Sequence, residues 1–458
     1  MLTKNKKNVK LIVLLAVVLA VGALLVFAAV SGAVGDAFLG RLRQSENAML
    51  FIILSISVPI LLVGLLLVMI FMKPDTVNIS LGHRDMPVGD EASEEGEDNG
   101  ERFCMLKDIE RRKESFRRSG YDESLTLRSL CDNLRNYAAS RLKLYYDISE
   151  IRNFIAGMAV SHIVILQGMS GTGKTSLAHA FGSFVDNRST IIPVQPMWKE
   201  RTDLVGYYNE FTKKFNETLL LEKMYEANYS EDMYITVLDE MNIARVEYYF
   251  AEFLSLLELP NPDERYIDVV SDKWESDPEQ LVDGRIKLPS NMWFIGTANN
   301  DDSTFAISDK VYDRAMILNL DTKCERFIAP KTEKTHISAK QFERLVKEAC
   351  EEYAISTRNR KRLEELDKYL ISHFHITFGN RILKQINTYI SVYISCGGDE
   401  LDALDDILSK KVIRKLETQN PIYLRNAAEG LVSYMNELFG QDKMKLCKEH
   451  IRRLERNA

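Results

Sequence analysis

The sequence has few cysteines and no paired metal-binding motif. Its six cysteines lie far apart without a CxxC pair, and its seven histidines include no HExxH. Zinc sites of the usual spacing are therefore not expected, and the cysteines of a cytosolic domain should remain thiols. His373 and His375 alternate in "SHFHITFG" as residues of an extended stretch do, and we interpret them as structural.

The chain also lacks a surplus of basic residues. It has 59 Lys and Arg against 66 Asp and Glu, a formal net charge of −7. The segment Asp90–Glu101, "DEASEEGEDNGE", alone contributes seven acids and no base, so the rest of the chain is balanced. Strong nucleic-acid binders usually carry a basic excess, and direct nucleic-acid binding is therefore not supported. The acidic run is typical of a solvated tether, and we assign a flexible linker to residues 73–101.

Charge is missing altogether from two long apolar runs. Leu11–Val30 and Met49–Met72 contain no charged residue. Each is long enough to cross a hydrocarbon core of about 30 Å at about 1.5 Å per residue. Both are therefore predicted to be transmembrane helices, and Pro59 should kink the second. They separate a basic tail, residues 1–10, from a short external loop, residues 31–48.

The flanking charges predict the orientation of these two spans. Four lysines precede the first run, whereas the loop at 31–48 carries only Arg41 and Arg43. The positive-inside rule then places both ends of the chain in the cytosol, in a two-pass protein of the cell membrane. A cleaved signal peptide is the alternative for the first run, because its tail is basic. The run is longer than a usual signal-peptide core, and a second run follows closely, which favours a retained helix.

The remainder of the chain shows two patterns. Residues 102–157 read mostly as helix, and short apolar runs then alternate with longer helical segments. These runs are His162–Leu166, Thr190–Val194, Tyr234–Leu238, Trp293–Gly296 and Ala315–Leu320. The alternation predicts an α/β domain over residues 102–331, with a mostly parallel sheet covered on both faces. Residues 332–458 are charged and amphipathic without clear strands, which predicts a separate helical lid domain.

One loop carries a specific chemical motif. Gly168–Thr175, "GMSGTGKT", matches G-x-x-x-x-G-K-[ST] between a predicted strand and a predicted helix, which is the context of a P-loop. Its backbone N–H groups would cradle phosphate oxygens, Lys174 would bind the β- and γ-phosphates, and Thr175 would ligate Mg²⁺. The candidate nucleotide-binding residues are Gly168, Ser170, Gly171, Thr172, Gly173, Lys174, Thr175 and Ser176.

Two later strand ends supply the polar groups that hydrolysis needs. "YITVLDE" ends in Asp239, a candidate Mg²⁺ ligand beside Thr175, and in Glu240, a candidate base for the attacking water. The next strand, "NMWFIGTANN", ends in Asn299, our candidate for a contact to the γ-phosphate. Asn300 is the neighbour that could replace it, and a plain turn is the alternative.

Taken in order, these segments resemble the AAA+ superfamily and, within it, the McrB-like and MoxR-like branch. The resemblance rests on "VILQGMSGTGKTSL", "LDEMN", "FIGTANNDDSTFAISDKVYDRAMIL" and "FGNRILKQI". They correspond to the P-loop, Walker B, sensor 1, arginine-finger and sensor 2 regions. "VQPMWKERTDLVGYYN" and "DEMNIARVEYYFAEFLSLLE" are also similar to McrB-like segments. The likeness extends from about Arg102 to the C-terminus and includes no methyl-DNA-reading domain.

The resemblance implies further site residues. Arg314, in "YDRAMIL", corresponds to the arginine that reaches a neighbouring subunit's nucleotide, and its being single is nearer the MoxR pattern. Arg381, in "FGNRILKQI", corresponds to the lid arginine that touches the γ-phosphate. A surface ion pair is the alternative for each. Arg245 is implied to lie at a subunit contact. The segment Asp263–Pro289 resembles a hairpin that faces a central pore, with Trp274 as an exposed contact, unless it is a surface loop.

The combined reading is a membrane-anchored NTPase that assembles as a homo-oligomeric ring, a hexamer. We expect it to use ATP and Mg²⁺, with GTP as the alternative because a P-loop reads phosphates rather than bases. Hydrolysis would move the helical lid and remodel a protein partner near the membrane. One alternative is the motor subunit of a restriction-like or phage-defence complex. The other is a slow nucleotide switch that scaffolds a membrane complex, against which an intact Glu240 argues.

Overall fold

The computed structural model describes residues 101–118, 120–299, 304–321 and 324–457. All of these belong to one compact unit, residues 95–458. The two predicted spans, the loop between them, the linker before Glu101 and the candidate Asn300 lie outside the described residues, and those assignments stay predictions. No helix within the described ranges is both long and apolar enough to cross a membrane.

Five parallel strands form the central sheet of the described part of the chain. The strands are β1 (Ile163–Gly168), β2 (Thr190–Pro193), β3 (Gly206–Asn209), β4 (Lys214–Glu217), β5 (Tyr234–Asp239), β6 (Tyr266–Asp268), β7 (Leu281–Val282), β8 (Arg285–Lys287), β9 (Met292–Asn299) and β10 (Met316–Asn319). The central sheet has the order β10–β1–β9–β5–β2. β3 and β4 form a hairpin, and β6, β8 and β7 form a small antiparallel sheet. The predicted parallel sheet is confirmed.

The central strands are apolar because both faces of the sheet are covered. In β1, Val164 and Leu166 point into one hydrophobic cluster, whereas Ile163 and Ile165 point into another. A strand buried on both faces reads as a continuous apolar run, which is the signal that the sequence carried.

Fifteen α-helices surround these strands in the described residues. They are α1 (Met105–Arg111), α2 (Leu127–Tyr137), α3 (Ile148–Val160), α4 (Lys174–Phe184), α5 (Thr202–Val205), α6 (Leu219–Ala227), α7 (Val246–Tyr249), α8 (Ala251–Leu256), α9 (Asp309–Tyr312), α10 (Ala339–Glu352), α11 (Thr357–Phe374), α12 (Asn380–Ser395), α13 (Glu400–Lys411), α14 (Pro421–Phe439) and α15 (Lys445–Asn457). Side-chain caps begin several of them. Asp147 accepts the N–H of Ser149 at the start of α3, and Ser338 accepts that of Gln341 in α10.

The helices from α10 onward pack on the sheet through a shared core. One hydrophobic cluster joins them to α2, α3, α4 and one face of the sheet, and a second cluster covers the other face with α1 and α6 to α9. The predicted helical region is thus present in the described residues. Its hydrophobic core is continuous with that of the α/β part. The boundary between the two parts at residue 331 stays a prediction.

The parallel strands give the sheet two distinct ends. The carboxyl edge is where the strands finish, at Gly168, Asp239 and Asn299. The amino edge is where they begin, next to Ser161 and Ala315. Ligands bind open α/β sheets at the carboxyl edge, so the placement of each candidate residue relative to these edges is informative.

Candidate functional site

The P-loop forms a tight turn between β1 and α4, at the carboxyl edge. Gly168, Gly171 and Gly173 have positive φ values of 150°, 78° and 92°. A Cβ atom on Gly168 would lie 2.4 Å from the carbonyl oxygen of Leu320, so only glycine fits there. Thr172 donates its hydroxyl to the carbonyl of Met169 within the turn. The loop therefore has the curled backbone that a phosphate-binding site requires.

Lys174 is buried at the base of this loop. Its ammonium group donates to the carbonyl of Gly168 at 2.9 Å and to that of Met169 at 2.7 Å. These contacts draw the side chain back along the loop, where its charge faces the turn. On the other side of the loop, the Tyr146 hydroxyl donates to the carbonyl of Gly173 at 3.0 Å. Burial raises the pKa of Tyr146, which keeps this donor protonated.

Thr175 and Asp239 meet although 64 residues separate them. The Thr175 hydroxyl donates to Asp239 Oδ1 at 2.7 Å, joining the start of α4 to the end of β5. A hydroxyl and a carboxylate beside a phosphate-binding loop form the oxygen-donor set that Mg²⁺ prefers. The two predicted magnesium ligands thus fit the ion, and the phosphates of a bound nucleotide would supply further oxygens.

Thr297 completes this arrangement, and sequence reasoning missed it. Its hydroxyl donates to Asp239 Oδ1 at 2.8 Å and accepts the backbone N–H of Glu240 at 2.8 Å. The side chain is buried within β9. The available signal was a single hydroxyl residue in the apolar run "MWFIGTAN". Thr297 directly follows Gly296, which pairs with Leu238 in the neighbouring strand.

Glu240 adopts a backbone conformation that is rare for glutamate. Its φ is 53°, in the left-handed region, at the start of the turn Met241–Ile243. Such a conformation persists only where surrounding contacts hold it, and the Thr297 hydroxyl is one of them. The carboxylate is exposed at the carboxyl edge, next to Asp239. It is therefore placed where it could accept a proton from a water molecule near the P-loop.

Asn299 lies directly across from the P-loop. In the register of β1 and β9 it is the partner of Gly168. The buried Asn242 fixes this strand end, because its side-chain amide donates to the carbonyls of Asn299 and Phe305. The structure thus brings Gly168, Thr175, Asp239, Glu240 and Asn299 to one edge of the sheet.

The two predicted arginines lie elsewhere. Arg314 precedes β10 at the amino edge, and its carbonyl accepts the hydroxyl of Ser161, two residues before β1. A strand of the length of β1 spans about 17 Å, and it separates Arg314 from the P-loop. Arg314 and Arg381 both form ion pairs with Glu258, at 2.9 Å and 2.7 Å. The structure therefore brings the two arginines together, and it brings neither to the P-loop of its own chain.

Trp274 is not exposed as expected. It is half-buried, and the guanidinium carbon of Arg102 lies 4.5 Å from its ring centroid. Arg102 also pairs with the buried Asp277 at 2.7 Å. The cation–π contact and the ion pair hold the Trp274 ring against Arg102. The expectation that Trp274 is an exposed contact residue is therefore wrong. Arg245 is about half exposed, packs over Phe305 and does not join the P-loop cluster.

Comparison with known proteins agrees with this site. Residues 163–315 match the AAA domain family of the dynein-related subfamily. Residues 331–458 match a domain of unknown function (DUF8727). No curated protein matches the chain. The matched segment contains the P-loop, Asp239, Glu240 and Asn299, and the chain thus contains an AAA+ ATPase-like domain.

Two solved structures show distant similarity. A candidate ATPase from Cytophaga hutchinsonii is 13% identical, with a TM-score of 0.45, covering 72% of this chain and 98% of that one. A full-length MCM homolog from Methanopyrus kandleri is 13% identical, with a TM-score of 0.35, covering 63% of this chain and 61% of that one.

Proposed function

We propose that the protein is a membrane-anchored AAA+ NTPase that works as a homo-oligomeric ring. The observation that carries the proposal is the division of its site between the two edges of one sheet. The P-loop, Asp239 and Glu240 lie at the carboxyl edge, whereas Arg314 and Arg381 lie at the amino edge. A second copy of the chain can supply the arginines that one copy cannot bring to its own nucleotide.

The residues at the carboxyl edge have separate roles in this proposal. Lys174 and the backbone N–H groups of the loop bind the phosphates of the nucleotide, which we take to be ATP, with GTP as the alternative. Thr175 and Asp239 hold Mg²⁺, which neutralises phosphate charge when bound. Glu240 accepts a proton from the attacking water, and the side chain of Asn299 contacts the γ-phosphate.

Arg314 acts on the nucleotide of a neighbouring copy. A guanidinium offers several N–H donors in one plane, which suits the charge that develops on phosphate oxygens. Arg381 forms an ion pair with Glu258, as Arg314 does, and we assign both arginines to the nucleotide site of the same neighbouring copy. A ring, which we propose to be a hexamer, gives every nucleotide such a neighbour.

The membrane assignment comes from the sequence. The apolar runs at 11–30 and 49–72 would anchor the ring in the cell membrane, with both chain ends in the cytosol. Movement of the helical region during hydrolysis would then act on a protein partner at the cytosolic face.

Hydrolysis by the full-length chain in detergent tests this proposal, with ATP and GTP compared over a range of protein concentrations. A rate per subunit that rises with concentration supports a site shared between copies. Lys174→Ala should abolish nucleotide binding, and Glu240→Gln should bind without hydrolysis. Arg314→Ala should bind nucleotide but regain hydrolysis only when mixed with Lys174→Ala chains. A rate independent of concentration, with no recovery in mixed assemblies, contradicts the shared site.

A further inference from the structure

One carboxylate holds both arginines of the amino edge. Glu258 follows α8, and its two oxygens contact guanidiniums from different parts of the chain. Oε2 lies 2.9 Å from Arg314 Nε, and Oε1 lies 2.7 Å from Arg381 Nη1. Within the described ranges, Glu258 is the one carboxylate that contacts either guanidinium. The three side chains form a cluster that we call the Glu258 triad.

The triad has an electrostatic reason to exist. Two guanidiniums repel each other at short range, and a carboxylate between them offsets that repulsion. The sum of the three charges is positive, so the triad keeps a net attraction for an anion. The side chain of Arg381 is 53% exposed, against 26% for Arg314 and 27% for Glu258. The positive charge therefore faces outward, where a phosphate of another molecule could approach.

The contacts within the triad are also incomplete. Glu258 Oε1 and Arg314 Nε are shielded from solvent, yet neither completes a hydrogen bond with any residue that the structure describes. Both atoms are within ion-pair distance of their partners without hydrogen-bond geometry. Buried polar atoms normally find hydrogen-bond partners, so unsatisfied ones are typical of a site that another group completes.

The backbone around Arg314 is fixed from the helical region. Lys411 on α13 donates to the carbonyls of Tyr312 and Ala315, on either side of the arginine segment. Arg414 pairs with Asp309 at the start of α9, and its guanidinium lies 3.5 Å from the ring centroid of Tyr312. Arg314 therefore has a defined backbone position. Two groups hold its side chain: Glu258 through the ion pair, and the carbonyl of Lys310, which accepts from Arg314 Nη1 at 3.0 Å.

We infer that Glu258 is a positioning residue that holds Arg314 and Arg381 as a pair for the nucleotide of a neighbouring copy. This inference rests on the proposed function, because it requires the arginines to act between copies. A purely structural ion pair predicts a different result on mutation. Partly exposed ion pairs contribute little to the free energy of unfolding, and the loss of such a pair would not affect hydrolysis in a neighbouring copy.

The test uses the full-length chain with Glu258→Gln, and Glu364→Gln as the matched control. Glu364 is an exposed glutamate on α11 that forms no ion pair with the described residues. We expect Glu258→Gln to lower kcat about tenfold or more and to change nucleotide Kd less than twofold. Glu258→Asp should recover part of the loss, and Glu364→Gln should match the parent chain.

Mixing experiments separate this inference from the proposed function. A Glu258→Gln chain has an intact P-loop, and Lys174→Ala chains would present it with intact arginines. Hydrolysis should therefore recover in that mixture, as it should for Arg314→Ala mixed with Lys174→Ala. If hydrolysis recovers in the mixture that contains Arg314→Ala but not in the mixture that contains Glu258→Gln, the role of Glu258 is overturned and the proposed function stands. Recovery in neither mixture overturns both, and an unchanged kcat for Glu258→Gln overturns the inference directly.

Discussion

The Thr297 hydroxyl offers a direct test of how the site is held together. In Thr297→Val a methyl group replaces the hydroxyl at nearly the same shape, so no cavity forms. Two hydrogen bonds disappear, one to the Asp239 carboxylate and one from the Glu240 N–H. The N–H of Glu240 then loses a partner in a partly buried position.

The size of the effect follows from these two bonds. A hydrogen bond to a charged group contributes about 1.5–3 kcal/mol, and a buried donor left without a partner costs about 1–3 kcal/mol. Thr175 still donates to Asp239, so that carboxylate keeps one of its two hydroxyl partners. We therefore expect the free energy of unfolding to fall by about 2–4 kcal/mol. Because Glu240 is no longer held in its left-handed conformation, kcat should fall about 10- to 100-fold with little change in nucleotide Kd.

Thr297→Ser is the matched control. It keeps the hydroxyl and removes one buried methyl group, which should lower stability by about 1 kcal/mol. Denaturant unfolding measures the first quantity for both variants, and steady-state hydrolysis with nucleotide titration measures the second. If the valine and serine variants have the same stability and the same kcat, the two hydrogen bonds do not position Glu240 and our reasoning is wrong.

Three further changes test other parts of the structure. Gly168→Ala should abolish nucleotide binding, because its Cβ would lie 2.4 Å from the carbonyl oxygen of Leu320; binding at the parent affinity would contradict the turn geometry. Asp277→Ala should lower the free energy of unfolding by about 3–5 kcal/mol, because it leaves the buried Arg102 without its carboxylate; a loss below about 1 kcal/mol in denaturant unfolding would contradict this. Burial lowers the pKa of Lys411 to about 7 from an ordinary 10.5, so above pH 7 the unfolded chain binds more protons than the folded one. The contribution of Lys411 to the free energy of unfolding should thus rise by up to about 1.4 kcal/mol per pH unit from pH 7 toward pH 10. The difference in the free energy of unfolding between the parent chain and Lys411→Met should follow this slope when both chains are unfolded across that range.

Features with a local sequence signal were predicted well. The five apolar runs became the five strands of one parallel sheet, because a strand buried on both faces needs little more than a continuous apolar stretch. The P-loop motif and the acids after "YITVL" fell at the same edge, because parallel strands bring their carboxyl ends together. Thr175 and Asp239 meet for that reason.

Features that depend on pairing between distant segments were not predicted. Glu258 looks like any helix-end glutamate, and its role emerges only when α8, α9 and α12 converge. Trp274 was expected to be exposed, and no local pattern indicates that Arg102, far away in the sequence, covers it. The role of Thr297 could not be predicted, because a threonine within a strand does not by itself indicate a function. Only the register of β9 against β5 brings its hydroxyl to Asp239.

The opposite placement of the two half-sites along one sheet limits which assemblies can be active. Two copies related by a two-fold axis present the same surface to each other, whereas this arrangement needs the front of one copy against the back of the next. An open row of such copies always ends in one subunit whose nucleotide has no arginine donor. Closing the row removes that idle end. Closure of the proposed assembly should thus activate the one site that an open row leaves without a donor. A single defective P-loop edge or arginine edge would likewise inactivate one site and leave the others active.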